Sequence, residues 1–250
     1  MMNMKRLVIF LLVALIPMMA VPQDPISRPG KKRQNTSQTT SGKKKQNMTW
    51  TTSGKKKPTS VKQQSVKVSE PDGFVNDHGY VDLGLSVKWA TCNVDASSPS
   101  DYGDYYAWGE ISTKSSYDTD NSKTYGKSMG NIGGNSSYDV ARYRWGDSWR
   151  LPTKAEFQEL IDKCTWTWTT QGGHNGHKVT GKNGKSIFLP AAGWRLGTSP
   201  DCVGEYGGYW SSTPYGSISN YAFYLGFGSS GHSMGWLGRN YGRSVRPVVE

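Results

Sequence analysis

Beyond its first twenty positions the sequence contains no long apolar run. Hydrophobic residues without glycine make up only 35% of the 250, and 30 glycines come in addition, so the apolar share lies close to that of a typical globular chain, about 45–50% with glycine counted. The longest apolar run covers the ten residues from Leu7 to Ile16, and a transmembrane helix needs about 20. We therefore predict no transmembrane segment after residue 20.

Glycine and aromatic residues, in contrast, are abundant. The 30 glycines argue against a helix bundle, because each glycine inside a helix costs about 1 kcal/mol. The 10 Trp and 14 Tyr exclude a chain that is disordered throughout, since such chains contain few aromatic residues.

Acidic residues are few, with 19 Asp and Glu against 30 Lys and Arg, so the formal net charge is +11. The excess is confined to one part of the chain. Residues 21–70 carry twelve basic and two acidic residues, whereas residues 71–250 carry 16 basic and 17 acidic residues. The bulk of the chain is therefore nearly neutral, and the charge gives no reason to expect a specific nucleic-acid partner.

Residues 1–20 have the pattern of a secretory signal peptide. Lys5 and Arg6 precede the apolar run, and Met18-Met19-Ala20 follows it as an imperfect cleavage site. The alternative is an uncleaved N-terminal anchor. Either interpretation predicts an exported protein that is secreted or held at the cell surface.

Residues 21–70 have low complexity and contain a basic repeat with a spacing of 12 residues. They have too few apolar residues to offset the entropy of ordering the chain, so they are predicted to be a disordered Lys/Ser/Thr-rich tether. Two functions stay open: binding of an anionic polymer, or a solvated spacer. The repeated basic residues are Lys31, Lys32, Arg33, Lys43, Lys44, Lys45, Lys55, Lys56 and Lys57.

Residues 71–250 are predicted to be one α+β domain of short strands, one or two helices and long Gly-rich loops. Apolar residues alternate from Tyr80 to Trp89 around a bend at Gly84, which indicates one or two strands. Thr153 and Glu156 have capping-box spacing and predict a helix to Lys163. Residues 95–147 read as loops, and further strands are predicted at Ser186–Pro190, Tyr221–Phe227 and Ser244–Val248.

Five ordered motifs carry a resemblance to a known family. They are Tyr80–Val94, Trp149–Phe157, Phe188–Arg195, Tyr209–Thr213 and Arg243–Val248. Together they resemble the Fibrobacter succinogenes major paralogous domain family, which is distantly similar to the C-type-lectin-like group that includes formylglycine-generating enzymes. The resemblance implies a C-type-lectin-like fold at residues 71–250 of an exported protein, and it implies no particular ligand.

The chain has only three cysteines, so at least one has no partner within the chain. Cys92 and Cys164 lie within or beside the motifs of the resemblance, so a disulfide between them is the favoured pairing. Two separate buried thiols are the alternative. Cys202 lies in a loop outside those motifs.

Several catalytic and metal-binding patterns are incomplete. Gly231-His-Ser233-Met-Gly235 matches a nucleophile elbow, but no His follows Ser233, so we interpret the stretch as a Gly-rich turn between strands. No Cys follows Cys202, so the oxidation performed by formylglycine-generating enzymes is not expected. His174 and His177 are predicted to lie in a Gly-rich hairpin turn, without a third metal ligand. The Asp118–Asp120 stretch has Lys123 where a calcium loop needs Gly. We therefore predict no catalytic residue, metal or cofactor.

Aromatic residues in the C-terminal third are the best candidates for ligand contact, because their rings combine an apolar face with a polar edge. We predict an exported, non-catalytic binding or adhesion module that recognises a surface glycan or protein. One alternative is a secreted enzyme that uses Asp101, Asp104 and Glu110; another is a functional tail with the domain as a cap. Core packing is the competing role for Trp210 and Trp236. The candidate ligand-binding residues are Tyr209, Trp210, Tyr215, Trp236, Asn240 and Tyr241.

Overall fold

The structure is a computed structural model that describes residues 68–146, 148–216 and 218–250. The predicted signal peptide (1–20), the tether up to Lys67 and all the repeated basic residues lie outside this part of the chain, so those predictions stay open.

The predicted fold class is wrong. The structure is mostly β-sheet, with 39% strand and 9% helix, and it consists of several antiparallel sheets rather than an α+β domain of the C-type-lectin-like type. The error arises because segments rich in Thr, Ser, Gly and Trp, which read as loops, pair into long hairpins such as Thr165–Thr180. The neighbouring strand provides the hydrogen bonds that the backbone of these segments needs. No local apolar run in the sequence indicates that they form strands.

Thirteen strands and two helices occur in the described residues. In chain order they are β1 Gly73–Val75, β2 His78–Val81, β3 Lys88–Ala90, α1 Val140–Trp145, β4 Trp149–Arg150, α2 Lys154–Lys163, β5 Thr165–Gln171, β6 His174–Thr180, β7 Ser186–Pro190, β8 Trp194–Leu196, β9 Ser199–Asp201, β10 Tyr206–Pro214, β11 Tyr221–Gly228, β12 Gly231–Gly238 and β13 Val248–Val249.

The N-terminal strands and the end of the chain share a five-stranded antiparallel sheet in the order β1-β2-β3-β13-β4. The predicted bend is confirmed, because Gly84 has φ +74° between β2 and β3, where glycine is favoured. The predicted strand at Ser244–Val248 is shorter than expected: β13 contains only Val248–Val249, and Ser244 forms an isolated bridge with Tyr209.

Helix α2 is confirmed with the capping box that the sequence indicates. The Thr153 hydroxyl accepts from the Glu156 N–H at 3.2 Å, and the Glu156 carboxylate accepts from the Thr153 N–H at 2.7 Å. Arg150 donates to the same carboxylate at 2.7 and 2.9 Å, which fixes the start of the helix. Phe157 and Leu160 are fully buried, so α2 supplies one wall of the core.

The core lies between α2, the five-stranded sheet and the two three-stranded sheets β5-β6-β7 and β10-β11-β12. Strand β11 alternates as predicted: Leu225 and Phe227 belong to the core cluster with Phe157 and Leu160, while Tyr224 points to the opposite face of the sheet.

That opposite face contains a buried arginine surrounded by aromatic rings. The guanidinium of Arg243 lies 3.8 Å from the centre of the Tyr224 ring and is only 1% exposed. Three further rings have centres within 6.0 Å of it: Trp194, Tyr206 and Trp210. A Cβ at Gly208 would lie 1.6 Å from Arg243 Nη1, so the strand needs glycine there despite its usual depletion in strands.

Three local expectations need correction. The predicted loop at residues 95–147 contains α1, whose N-cap is Asp139. His174 and His177 are on strand β6 rather than in a turn, although the tight turn at Gly172–Gly173 does precede them. Ser233 is on β12 rather than in a turn between strands.

Candidate functional site

Three of the six predicted ligand-binding residues are buried structural residues. Tyr209 is 0% exposed and donates from its hydroxyl to the Pro190 carbonyl at 2.9 Å; burial raises the pKa of Tyr209 to about 12, so the phenol stays protonated. Trp210 is 1% exposed and donates from Nε1 to the Tyr106 carbonyl at 2.9 Å. Asn240 is also buried. These three residues stabilise the fold and offer no surface to a ligand.

Two of the remaining candidates, Tyr215 and Trp236, form an aromatic stack at the surface. Both are half-buried, and their rings are 4.9 Å apart at an angle of 20°. Phe223 lies directly opposite Trp236 across the β11–β12 ladder, and Tyr215 contacts both Phe223 and Tyr221 edge-on. Tyr241, the sixth candidate, is half-buried near Gly238.

A lysine completes this group. Lys154 is the first residue of α2, and its ammonium lies 4.1 Å above the centre of the Phe223 ring, a favourable cation–π distance. We use the name Trp236 cluster for five residues: Lys154, Tyr215, Tyr221, Phe223 and Trp236.

The polar ends of the Trp236 cluster are unused. Within the described part of the chain, neither the Tyr215 and Tyr221 hydroxyls nor the indole N–H of Trp236 has a hydrogen-bond partner, and the Lys154 ammonium has no carboxylate partner. None of these four atoms is buried without a partner either, so each keeps some exposure to solvent. The cluster therefore presents apolar ring area together with four groups that can donate hydrogen bonds.

Sequence reasoning missed Lys154, Tyr221 and Phe223. The signal for the two aromatics was available, because Tyr221 and Phe223 share a strand face by their spacing of two. Lys154 had no such signal, since its contact with Phe223 depends on how α2 packs on the sheet.

A second half-buried aromatic group lies near the other end of α2, and it is part of the core wall. Trp166 on β5 stacks on His232 of β12, with ring centres 4.3 Å apart, and donates from Nε1 to the Leu160 carbonyl at 3.3 Å. Trp166 and Trp168 pack against the hydrophobic core, whereas no member of the Trp236 cluster does. The Trp166 group therefore belongs to the packing of the core, whereas the Trp236 cluster lies at the surface.

His177 gives this region a predicted pH dependence. Its Nε2 faces the Gly228 carbonyl at 3.0 Å, while its Nδ1 is buried without a partner. Burial, chiefly, and nearby His232 lower the pKa of His177, and burial also lowers the pKa of His232 and of His78. The folded state thus resists protonation of these imidazoles.

We therefore expect the free energy of unfolding to fall as the pH drops below about 6.5, because the unfolded chain takes up protons first. The dependence should be absent above pH 7.5 and should weaken in His177→Phe, each pKa unit being worth about 1.4 kcal/mol. Urea unfolding between pH 8 and pH 5 measures it. A variant with the wild-type slope over this range would contradict the assignment to His177.

The three carboxylates considered for catalysis have different surroundings in the structure. Glu110 is 3% exposed, receives Lys114 Nζ at 3.1 Å and accepts the Lys123 N–H at 2.8 Å. Asp101 accepts the Ser98 N–H at 2.8 Å, and Asp104 is exposed to solvent. Glu110 therefore holds a loop together.

The structure contains no Cys92–Cys164 disulfide; both side chains are partly exposed thiols. The two thiols have different surroundings. Cys92 follows β3 next to the Thr91 hydroxyl, whereas Cys164 caps the end of α2 and packs on the core. Burial raises the pKa of Cys164 to about 11, so this thiol is unreactive at neutral pH. Cys202 is likewise partly exposed.

Metal binding has no candidate in residues 68–250 as described: no group of three or more His, Cys, Asp and Glu side chains is placed to hold an ion. His174 Nδ1 lies 2.8 Å from the Ser100 carbonyl, so it has a local backbone partner. Of the two helices in the same part of the chain, neither combines the length and apolar character that a membrane crossing requires.

Comparison with known proteins gives one match. A family model described as a domain of unknown function (DUF8237) matches residues 178–248, less than a third of the chain, from β6 to β13. Searches of curated proteins and of solved structures return no match. The matched segment includes β10–β12 and all of the Trp236 cluster except Lys154.

Proposed function

We propose that this protein is a non-catalytic binding module that takes a glycan on the Trp236 cluster. The observation that carries the proposal is the Tyr215–Trp236 stack, which is partly exposed, lies outside the hydrophobic core and has no hydrogen-bond partner for its polar ends among the described residues. The buried candidates Tyr209 and Trp210, in contrast, have their polar ends bonded to backbone carbonyls.

The chemistry of the cluster suits a sugar. The C–H faces of a pyranose ring are apolar and pack on aromatic faces, while its hydroxyls need hydrogen-bond partners once they leave water. Tyr215, Tyr221 and Trp236 supply both kinds of contact from one surface. Lys154 adds a positive charge, which would favour a carboxylated sugar over a neutral one.

Export and attachment belong to the same proposal. Residues 1–20 would direct secretion, and the basic segment 21–70 would hold the module near an anionic polymer or serve as a spacer. Binding by the tail differs from binding by the cluster in its response to salt, because attraction between exposed charges is screened within about 10 Å at 0.1 M.

The experiment is binding to a panel of immobilised polysaccharides that includes cellulose-derived oligosaccharides and polygalacturonate. Residues 71–250 alone should bind at least one of them, and Trp236→Ala should weaken that binding about 30-fold, the effect of losing about 2 kcal/mol at a hot-spot tryptophan. Tyr143→Ala is the matched control, since Tyr143 is 56% exposed and lies on α1.

Three outcomes would contradict the proposal: no binding by residues 71–250, equal affinity of Trp236→Ala and the wild type, or turnover of a bound polysaccharide. Binding that requires residues 21–70 and disappears in salt would assign the function to the tail instead.

A further inference from the structure

Strand β12 has an open edge. It pairs with β11 through a hairpin whose first pair is Gly228–Gly231. In an antiparallel ladder with a two-residue turn, alternate residues from that pair onward bond to the partner strand. The N–H and C=O groups of His232, Met234 and Trp236 therefore point away from β11. They have no backbone partner in the part of the chain that the structure describes.

This edge also lacks the features that usually prevent edge pairing. Residues 228–238 contain no Lys, Arg, Asp, Glu or Pro, and the β11–β12 register runs without a bulge, whereas protected edges carry such residues or bulges. The opposite edge of the same sheet is covered, since β10 has a register shift and the Trp210 N–H donates to the Ser244 carbonyl at 3.2 Å.

We propose that β12 pairs with β12 of a second copy of this chain, antiparallel about a two-fold axis at Met234. This register places Met234 opposite its own equivalent and His232 opposite Trp236 of the second copy. All three outward-facing residues then exchange both backbone hydrogen bonds, and the two sheets join into one of six strands.

The chemistry of the strand favours a second copy over a charged peptide. No residue of β12 carries a formal charge, so pairing of two copies about the two-fold axis brings no like charges together. For the same reason β12 offers no opposite charge to a basic or acidic peptide. An eight-residue strand alone buries too little for a stable dimer, which needs about 1,200 Å² or more. His232 and Trp236 lie on the same face, so the Trp166–His232 stack of one copy would adjoin the Tyr215–Trp236 stack of the other and add apolar area.

The dimer would place two Trp236 clusters on one continuous sheet. A polysaccharide chain could then occupy both, and the second contact would be made at high effective concentration. The interface itself stands apart from the proposed function, because its backbone pairing and ring contacts form without a glycan.

Disulfide trapping tests the register directly. In Met234→Cys the two thiols would face each other across a bonded pair, about 5.5 Å apart at Cα, within the range for a disulfide. We expect an oxidised covalent dimer on a non-reducing gel. In the control Ser233→Cys the equivalent positions are diagonal, about 7–8 Å apart, and should not cross-link; the wild type, with its three native cysteines, should stay monomeric on the gel.

Sedimentation velocity of residues 21–250 provides the second measurement. The wild type should reach twice the monomer mass as concentration rises, and Met234→Pro should remain monomeric, because proline removes an outward N–H that β11 does not use. A wild type that stays monomeric throughout, or a dimer that persists in Met234→Pro while Met234→Cys fails to cross-link, would overturn the proposal. Loss of glycan binding with the dimer intact would affect only the proposed function.

Discussion

Arg246→Ala is expected to remove most of the stability of the folded domain. Arg246 is 0% exposed. Its guanidinium donates to the carbonyls of Ala90, Thr91 and Phe188 at 2.9, 2.6 and 2.8 Å and to Asn93 Oδ1 at 2.8 Å. It thereby joins the end of β3, strand β7 and the C-terminal segment. Alanine would leave three buried acceptors and the partly buried Thr91 carbonyl without donors, at about 1–3 kcal/mol for each buried group, against a total of about 5–15 kcal/mol.

Arg246→Lys is the matched variant. An ammonium keeps the charge but cannot reach acceptors on both sides as the planar guanidinium does, so we expect intermediate stability. Urea unfolding followed by tryptophan fluorescence should rank the wild type above Arg246→Lys and Arg246→Lys above Arg246→Ala. A midpoint for Arg246→Ala equal to that of the wild type would show that the four bonds contribute nothing net.

Asp139→Ala is expected to have the second large effect. The carboxylate of Asp139 is buried and accepts four backbone N–H groups: Oδ2 from Gly134 and Leu151 at 2.8 and 2.9 Å, and Oδ1 from Ala141 and Arg142 at 2.9 and 3.2 Å. It therefore caps α1 and holds the preceding loop against the segment that leads into α2. Alanine would leave these four N–H donors without an acceptor, and we expect the free energy of unfolding to fall by about 3 kcal/mol or more.

Asp139→Asn tests the two carboxylate oxygens separately. Asparagine retains one acceptor and replaces the other by an NH₂ group that would face N–H donors, so about half of the hydrogen bonds should survive. The free energy of unfolding from urea titration should place Asp139→Asn between the wild type and Asp139→Ala. If asparagine and alanine destabilise the domain equally, the four-bond account of Asp139 is wrong.

The parts of the fold that could be predicted are those whose signals are local. The capping box of Thr153 and Glu156 located α2, and period-two alternation located β11. The hairpin β5–β6 and strand β12 escaped although each pairing joins strands that are adjacent in the chain, because the glycine and polar residues of β6 and β12 give no sustained apolar alternation. Gly208 illustrates the difficulty: it reads as a loop residue, yet it is needed inside β10 to admit the Arg243 side chain.

For the candidate site, the sequence predicted only that aromatic residues of the C-terminal third take part. The C-terminal third is rich in aromatic residues, but composition does not tell a buried ring from an exposed one. Trp210 and Trp236 look alike in the sequence; the first lies under the Arg243 side chain and the second beside Tyr215 at the surface. The difference follows from the β10–β11–β12 register, which sets the face of the sheet on which each ring lies.

The central claim is that the Trp236 cluster, and no other aromatic group of the domain, contacts the ligand. The most direct measurement is a nitrogen–proton correlation spectrum of the indole N–H groups, recorded while the tightest-binding oligosaccharide of the panel is added, with Trp236 assigned from Trp236→Phe. The account predicts that the Trp236 indole signal shifts most, while those of buried Trp89 and Trp149 stay in place. Largest shifts at Trp166 or Trp168, or an unmoved Trp236 signal at saturation, would contradict it.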